Sequence, residues 1–399
     1  MAEFDVHHYA SSLESGLRNL KTRKLDENDK ILIEKFVNDL VSKGISAPRQ
    51  LKYYSALIKL SELLEIGFDK AKKEDLKALV VKIERSDYSA WSKKDFKVVI
   101  KCFYRWLRGE DEEYPAEVKW IKCTNKKSRH KLPEELLDEE EVKRLVRATD
   151  HPRDSAFIQV LFETGCRIGE ILTLRIRNVN FDNHGAILRV TGKTGDRRVR
   201  IVASAPSLAS WLNHHPFADR TDSPIWISRA SKRMLLPFNY STANMLLRRI
   251  AKKAGITKKV NPHLFRHSRA TLMASKLTEA QMKEYFGWVQ SSGMASVYVH
   301  LSGRDVDSAI LGMHGLVEDK QREKEKFSPQ MCHRCSNANS PTSKFCAKCG
   351  VVLNLQTMID IEERKKKADT LLNDLMKDEK TKEFLLSRIN EIGLSGSLF

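Results

Sequence analysis

The strongest constraint on what this chain can fold into is a set of four cysteines, Cys332-x2-Cys335-x10-Cys346-x2-Cys349. Two short C-x-x-C turns at this separation supply four thiolates for one tetrahedral ion, which points to structural zinc. Gly350 follows the second turn and provides the glycine that such a tight knuckle needs. Disulfides are the competing use of the same sulfurs, and they require an oxidising compartment. The amino terminus, MAEFDVHHYA, lacks the basic-then-apolar layout of a secretory signal. A cytoplasmic chain holding one structural Zn2+ is therefore expected. Cys102, Cys123 and Cys166 are scattered and read as small, buried or partly buried residues.

A second constraint is the stretch from His263 to His300, HLFRHSRATLMASKLTEAQMKEYFGWVQSSGMASVYVH. His263 and Arg266 stand three residues apart, so a helix would present both on one face. Leu272, Met273, Leu277, Met282, Tyr285 and Phe286 follow at helical spacing and need an apolar core behind them. An H-x-x-R pair alone is uninformative. Here it is followed by His267, by Gly287-Trp288 and, ten residues later, by Tyr298.

The formal net charge of +18 favours polyanionic partners, because lysine and arginine attract phosphates and release their counterions. Nucleic acid is the first candidate, although ribosome-associated and membrane-surface proteins also reach such values. No stretch reaches the apolar length needed to cross a bilayer. A chain of 399 residues can form roughly two to three domains, each with its own core.

Residues from about Leu13 to Leu107 read as helices. Ile33, Phe36, Val37 and Leu40 mark one, broken at Gly44 and Pro48. Tyr54, Leu57, Ile58 and Leu64 mark a second, Leu76, Leu79 and Ile83 a third, and Phe96, Val99, Ile100 and Phe103 a fourth. The fourth also carries Lys93, Lys94, Lys97, Lys101 and Arg105, interleaved with Trp91, Tyr104 and Trp106. Such a face is either solvated or a nucleic-acid contact. From Gly109 to Pro133 periodicity is lost and an acidic run gives way to Lys126, Lys127, Arg129 and Lys131, the mark of an exposed linker. Asp138 is placed to cap a helix bearing Val142, Leu145 and Val146. The clear β signal is Ala186–Val190 and Arg198–Ile201 around a Gly-rich turn, which predicts a hairpin. Its Gly192-Lys193-Thr194-Gly195 is not a nucleotide-binding loop, since the earlier glycine of G-x-x-x-x-G-K-[ST] is missing. Pro206 to Gly255 is expected to be helical, and a long helical pattern runs from Met358 to Gly393.

The stretch from His263 to His300, with Thr164-Gly165-Cys166-Arg167-Ile168-Gly169-Glu170 before it, resembles the two signature boxes of the tyrosine recombinase (phage integrase) family. The likeness extends to Xer-like and archaeal integrase-like members; it does not cover roughly the last fifth of the chain, although a zinc ribbon appended there resembles arrangements in some archaeal integrase-like proteins. The resemblance implies a mainly α fold with a small β-sheet. Residues 1–110 would be an all-α core-binding DNA clamp and 111–133 a linker. Residues 134–316 would be the α+β catalytic domain, 317–330 a charged linker, 331–353 the zinc ribbon and 354–399 a helical tail. It further implies a site-specific DNA recombinase that cleaves and rejoins double-stranded DNA through a 3′-phosphotyrosyl intermediate, with no nucleotide and no catalytic metal. Arg167 and Arg266 would hold the scissile phosphate, Glu170 would steady that region and Tyr298 would attack. His263 would serve as base, Trp288 would touch the phosphate, and Lys193 on the mobile hairpin would protonate the leaving 5′ oxygen. A short helix over Val306–Leu316 would dock into a neighbouring protomer of a tetramer on DNA. A type IB topoisomerase-like enzyme and a catalytically silent DNA-binding regulator share these features and stand as alternatives.

Overall fold

The computed structural model describes residues 5–110, 112–124, 133–192, 194–229, 236–301, 314 and 327–391. The chain divides into two compact units, Met1–Leu132 with Asn239–Ser241, and Pro133–Phe238 with Thr242–Phe399.

In the first unit the helical patterns become α1 (Tyr9–Leu20), α2 (Glu27–Ser42), α3 (Ala47–Leu64), α4 (Lys73–Arg85), α5 (Ala90–Leu107) and α6 (Ala116–Lys119). Asp26 starts α2 by accepting hydrogen bonds from the N–H groups of Asn28 and Asp29. Pro48 sits in the first turn of α3, where the missing N–H costs nothing. Phe36 packs edge-on to Phe103 at 5.4 Å, and Leu57, Ile83 and Leu76 close the same core. Within that core Asp29 is buried, accepting from Ser61 Oγ at 2.5 Å and from the Phe68 N–H at 2.7 Å. The basic face of α5 is largely engaged within the unit. Lys97 pairs with Glu84 at 2.6 Å, Lys93 donates to the Glu84 carbonyl, and Lys101 lies 4.1 Å above the Tyr114 ring.

The second unit opens with α7 (Glu139–Arg147), where Asp138 accepts from the Glu141 N–H at 2.7 Å and Glu141 accepts from the Asp138 N–H at 3.0 Å. Next come α8 (Pro152–Thr164) and the short α9 (Ile168–Leu172). Phe157, Ile158, Val160, Leu161 and Phe162 bury α8 on all sides, so it is the axis of this unit's core. An antiparallel sheet follows, ordered β1 (Val179–Asp182), β2 (Gly185–Gly192) and β3 (Gly195–Ile201). The β2–β3 hairpin is the expected one, with Leu188 opposite Val199 and Gly192 opposite Gly195. Strand β1 adds a pairing that the sequence reading passed over, because its alternation of Val179, Asn180, Phe181 and Asp182 lasts only four residues and is mostly exposed.

After α10 (Ala205–Asn213) the helicity expected from Pro206 to Gly255 is interrupted, and only its last part returns as the expected basic helix. Residues 214–229 and 236–239 run through turns and isolated bridges, Arg175 with Pro224 and Ile227 with Pro237. Pro216, Pro224 and Pro237 each remove a backbone donor that a helix would need. Helix returns in α11 (Tyr240–Lys253), α12 (Pro262–Ala274), α13 (Glu279–Phe286) and α14 (Met294–Leu301). The expected helix at Val306–Leu316 lies, but for His314, outside the described residues, as do Lys126, Lys127, Arg129 and Lys131 of the linker.

The cysteine segment is built on a minimal hairpin, β4 (Gln330–Met331) paired with β5 (Ala338–Asn339). It rests on α8 at two points: the Phe327 ring stands 5.3 Å from Phe162, and Ser340 Oγ donates to Gln159 Oε1 at 2.8 Å. The single long pattern of the tail resolves into α15 (Leu355–Met376) and α16 (Glu379–Glu391). Asp378 divides them by accepting from the Thr381 N–H at 3.0 Å, an N-cap interaction.

Candidate active site

Helix α8 ends at Gly165, whose φ of +55° turns the chain into a left-handed cap. A Cβ there would stand 2.7 Å from Phe286, so the close approach of α13 also demands glycine. The turn delivers Arg167 to the start of α9. The Arg167 N–H donates to Glu170 Oε2 at 2.8 Å, its Nη1 to Glu170 Oε1 at 3.0 Å and its Nη2 to the Gly287 carbonyl at 3.1 Å. A third of the Arg167 side chain stays exposed, while Glu170 is almost wholly enclosed.

Glu170 has a second cationic partner that the sequence reading passed over. Arg197 of β3 donates from Nη1 to Oε1 at 2.9 Å and from Nη2 to Oε2 at 2.8 Å. It also donates from Nε to the Tyr285 carbonyl at 3.1 Å. Burial pushes the Glu170 carboxyl up, but the hydrogen bonds and charges of Arg197 and Arg167 outweigh it and hold the group below its ordinary value. The signal for Arg197 was available, since it shares the inward phase of Val199 and Ile201 on β3.

Helix α12 begins at Asn261, whose side chain accepts from the Leu264 N–H at 3.0 Å. It carries Arg266 inward. Nη1 donates to the Gly165 carbonyl at 3.0 Å and Nη2 to the Phe286 carbonyl at 2.8 Å, with the guanidinium 5.5 Å from the Trp288 ring centre. Burial first, and then the like charge of Arg167, lower the Arg266 pKa to about 10. Two neighbouring guanidiniums under mutual repulsion form a site that an anion would relieve.

Trp288 follows Gly287, the left-handed cap of α13 at φ +60°. Its ring lies parallel to that of Tyr298, 5.6 Å away, and stacks on Phe286 at 5.0 Å. Tyr298, on α14, is 5% exposed, and its hydroxyl meets His267 Nδ1 at 2.5 Å. Burial pushes the phenol above its ordinary value, and the positive charge of Arg266 partly offsets this. His263 lies one turn before His267, exposed at the start of α12. The family resemblance singled out His263 as base and left His267 without a role. Lys193 is outside the described residues; its neighbour Thr194 donates from Oγ1 to the Gly287 carbonyl at 3.2 Å, docking the hairpin turn onto the same loop. Arg167, Arg266, Trp288 and Tyr298 are thus brought together around Gly287, with Glu170 and Arg197 behind them.

Cys332, Cys335, Cys346 and Cys349 also converge, all four sulfurs lying within 4.8 Å of one another. Cys332 and Cys349 are 3.5 Å apart, Cys335 and Cys346 3.6 Å. Gly350 adopts φ +73° in the second knuckle, as its tight turn requires. Asn339 Nδ2 donates to Cys346 Sγ at 3.7 Å. No helix among the described residues is long and apolar enough to cross a membrane.

Residues 135–304 match the phage integrase family. Tyrosine recombinase XerA of Pyrococcus horikoshii is 28% identical over 294 residues, covering 73% of this chain and 96% of the relative. Tyrosine recombinase XerC of Alcanivorax borkumensis is 26% identical over 309 residues, covering 73% and 96%. Among solved structures, the XerH site-specific recombinase bound to its difH substrate superposes with TM-score 0.53 at 18% identity, over 78% of this chain and 97% of that one. A lambda integrase dimer bound to a COC′ core site gives 0.54 at 16%, over 69% and 77%. These likenesses show the tyrosine recombinase fold, in a chain whose residues 135–304 match the phage integrase family and which is similar over most of its length to the Xer tyrosine recombinases.

Proposed function

We propose that this chain is a site-specific DNA recombinase that cleaves and rejoins double-stranded DNA through a 3′-phosphotyrosyl intermediate. What carries the reading is the convergence of two guanidiniums, Arg167 and Arg266, and the buried phenol of Tyr298 within the integrase-like segment. A phosphodiester resists attack because its anionic oxygens repel a nucleophile. Two forked cations neutralise those oxygens and hold the geometry as charge builds on the phosphorane. Tyr298 attacks phosphorus, Trp288 packs against the phosphate, and Lys193 protonates the departing 5′ oxygen. The phosphotyrosyl bond retains the energy of the broken diester, so rejoining needs no nucleotide.

The relatives support the assembly as well. The solved lambda integrase forms include a dimer on a core site and a tetramer on a Holliday junction. The active form of this chain is accordingly a homotetramer on two duplexes, in the cytoplasm. The domain division is that of the sequence reading: a DNA clamp at 1–110, a catalytic domain at 134–316, a zinc ribbon at 331–353 and a helical tail at 354–399.

The four thiols would hold one structural Zn2+. Tetrahedral Zn–S bonds of about 2.3 Å place sulfurs about 3.8 Å apart, close to the 3.5 and 3.6 Å separations here. The ion would stabilise the ribbon and take no part in strand cleavage. Elemental analysis of protein purified under reducing conditions is expected to find one zinc per chain, and finding none would remove the assignment.

A nicked suicide substrate tests the reaction. Pooled genomic duplex fragments are incubated with the wild type and with Tyr298→Phe, then read on denaturing gels and by mass spectrometry. The wild type is expected to form an adduct at Tyr298 at clustered DNA positions, and the Phe variant none. Scattered positions would indicate a topoisomerase, and tight binding without any adduct a regulator.

A further inference from the structure

Tyr298 is both the nucleophile of the proposed reaction and a poorly placed acid. It is 5% exposed, one ring face is covered by the parallel Trp288 indole, and bulk water has little access to its hydroxyl. Arg266 assists the phenolate by charge, but a guanidinium has no lone pair to take the proton. Among the described residues, the side chain that meets the hydroxyl is His267, its Nδ1 2.5 Å from Oη, with the two ring centres 6.0 Å apart. This is within the reach required of a general base. His263 is exposed one turn earlier on α12.

We propose that His267, not His263, is the general base that deprotonates Tyr298. This rests on the reading of Tyr298 as nucleophile. In the neutral tautomer protonated at Nε2, the Nδ1 lone pair accepts the phenolic proton as Oη forms its bond to phosphorus. The P–O5′ bond breaks, and the 5′ oxygen takes a proton from the general acid assigned to Lys193. His267 therefore gains one proton and Lys193 loses one, and rejoining reverses both transfers. His267 is adjacent in sequence to Arg266, so the element that binds the phosphate also carries the base.

Charged and titratable groups stand on each element packed around α12; on α8 Arg153 and Asp154 pair with each other, and on α13 Lys283 pairs with Glu279 at 2.9 Å beside Glu284. Helix α12 itself carries His263, Arg266 and Arg269. Glu163 on α8 is taken up by the N–H groups of Val202, Ala203 and Ser204, and Tyr285 on α13 donates its hydroxyl to the Glu163 carbonyl. Arg167 and Glu170 act on Arg266 from the α8–α9 corner, and α14 contributes Tyr298 itself. None of these other groups hydrogen-bonds the Tyr298 hydroxyl among the described residues.

The test is single-turnover cleavage of a nicked duplex selected by covalent capture with the wild type, across a range of pH. Wild type, His267→Gln, His267→Ala and His263→Ala are compared, with DNA binding measured in parallel. The Gln amide oxygen still accepts a hydrogen bond from Oη but does not hold its proton at working pH, so it separates orienting from proton acceptance. Both His267 variants are expected to bind DNA as the wild type does and to cleave about 10²–10⁴-fold more slowly. The wild-type rate should rise with pH through the histidine range and then level, whereas the variants should keep rising. Added imidazole should restore part of the Ala variant's rate. Wild-type cleavage by His267→Gln would overturn the proposal, since His267 would then only orient the phenol. So would loss of the pH break in His263→Ala alone. If the Ala variant does not fold, the near-isosteric Gln variant decides. Failure of the wild type itself to form an adduct would instead sink the recombinase reading, a separate and visible outcome.

Discussion

Glu170 is the residue on which the site's rigidity turns, because one buried carboxylate accepts from two arginines on different elements. Removing Arg197 leaves that carboxylate enclosed with half its donors gone, a loss that costs about 3–5 kcal/mol when a buried pair is broken from one side. Arg197→Ala is therefore expected to lower the urea midpoint of unfolding markedly at neutral pH. The sign of the pH effect follows from the depressed Glu170 value. Stability from a depressed carboxyl is present above its ordinary value, near 4.5, and is lost as pH falls through the lower folded-state value. Acidification should thus erode the wild type's advantage and narrow the gap to Arg197→Ala; a gap that stays constant to about pH 3 would mean that the ion pair is not its source. Arg167, Arg266, Trp288 and Tyr298 could be named because each falls in one of the two local boxes that carry the family resemblance. Arg197 was readable as an inward-pointing cation, but its partner, 27 residues away, was not. The same limit applies to His267: no spacing rule says which of two histidines one turn apart reaches a tyrosine 31 residues on.

At the scale of elements, α8 joins the site to the cysteine module. Its carboxyl end delivers Arg167, while Gln159 and Phe162 on its length receive Ser340 and Phe327. Phe327 is 1% exposed, so truncation to Ala would open a cavity and cost about 3–5 kcal/mol. Thermal unfolding of Phe327→Ala should reveal that loss, and an unchanged melting temperature would show that the module does not brace α8. The local parts were legible: the thiol spacing, the hairpin around Gly192–Gly195 and the Asp138 cap are decided within a few residues. Their docking was not, because Gln159 and Ser340 stand 181 positions apart. Strand β1 and the break between α10 and α11 escaped for a different reason. Short exposed strands and proline-punctuated turns carry little periodicity, which is the signal on which such reading depends.

For the molecule as a whole, the +18 charge says less than its count suggests, since intramolecular acids already occupy many of the cations. Lys97 is held by Glu84 and Lys52 by Asp95, whereas Lys94 lies 5.4 Å from the centre of the exposed Trp91 ring. Binding to duplex DNA should still weaken steeply with salt. The logarithm of affinity falls by about 0.9 per phosphate neutralised for each unit of log salt, so six to ten contacts would cost roughly 10³–10⁵ between 50 and 200 mM. A flat response would remove phosphate contact as the main source of affinity. The comparison of Lys94→Gln with Lys97→Gln then asks whether α5 faces DNA. Lys94→Gln should reduce the slope by about 0.9, the loss of one released counterion. Lys97→Gln should reduce it less, because its charge is already compensated by Glu84. Equal slopes for both variants and the wild type would place the DNA on another face of the first unit.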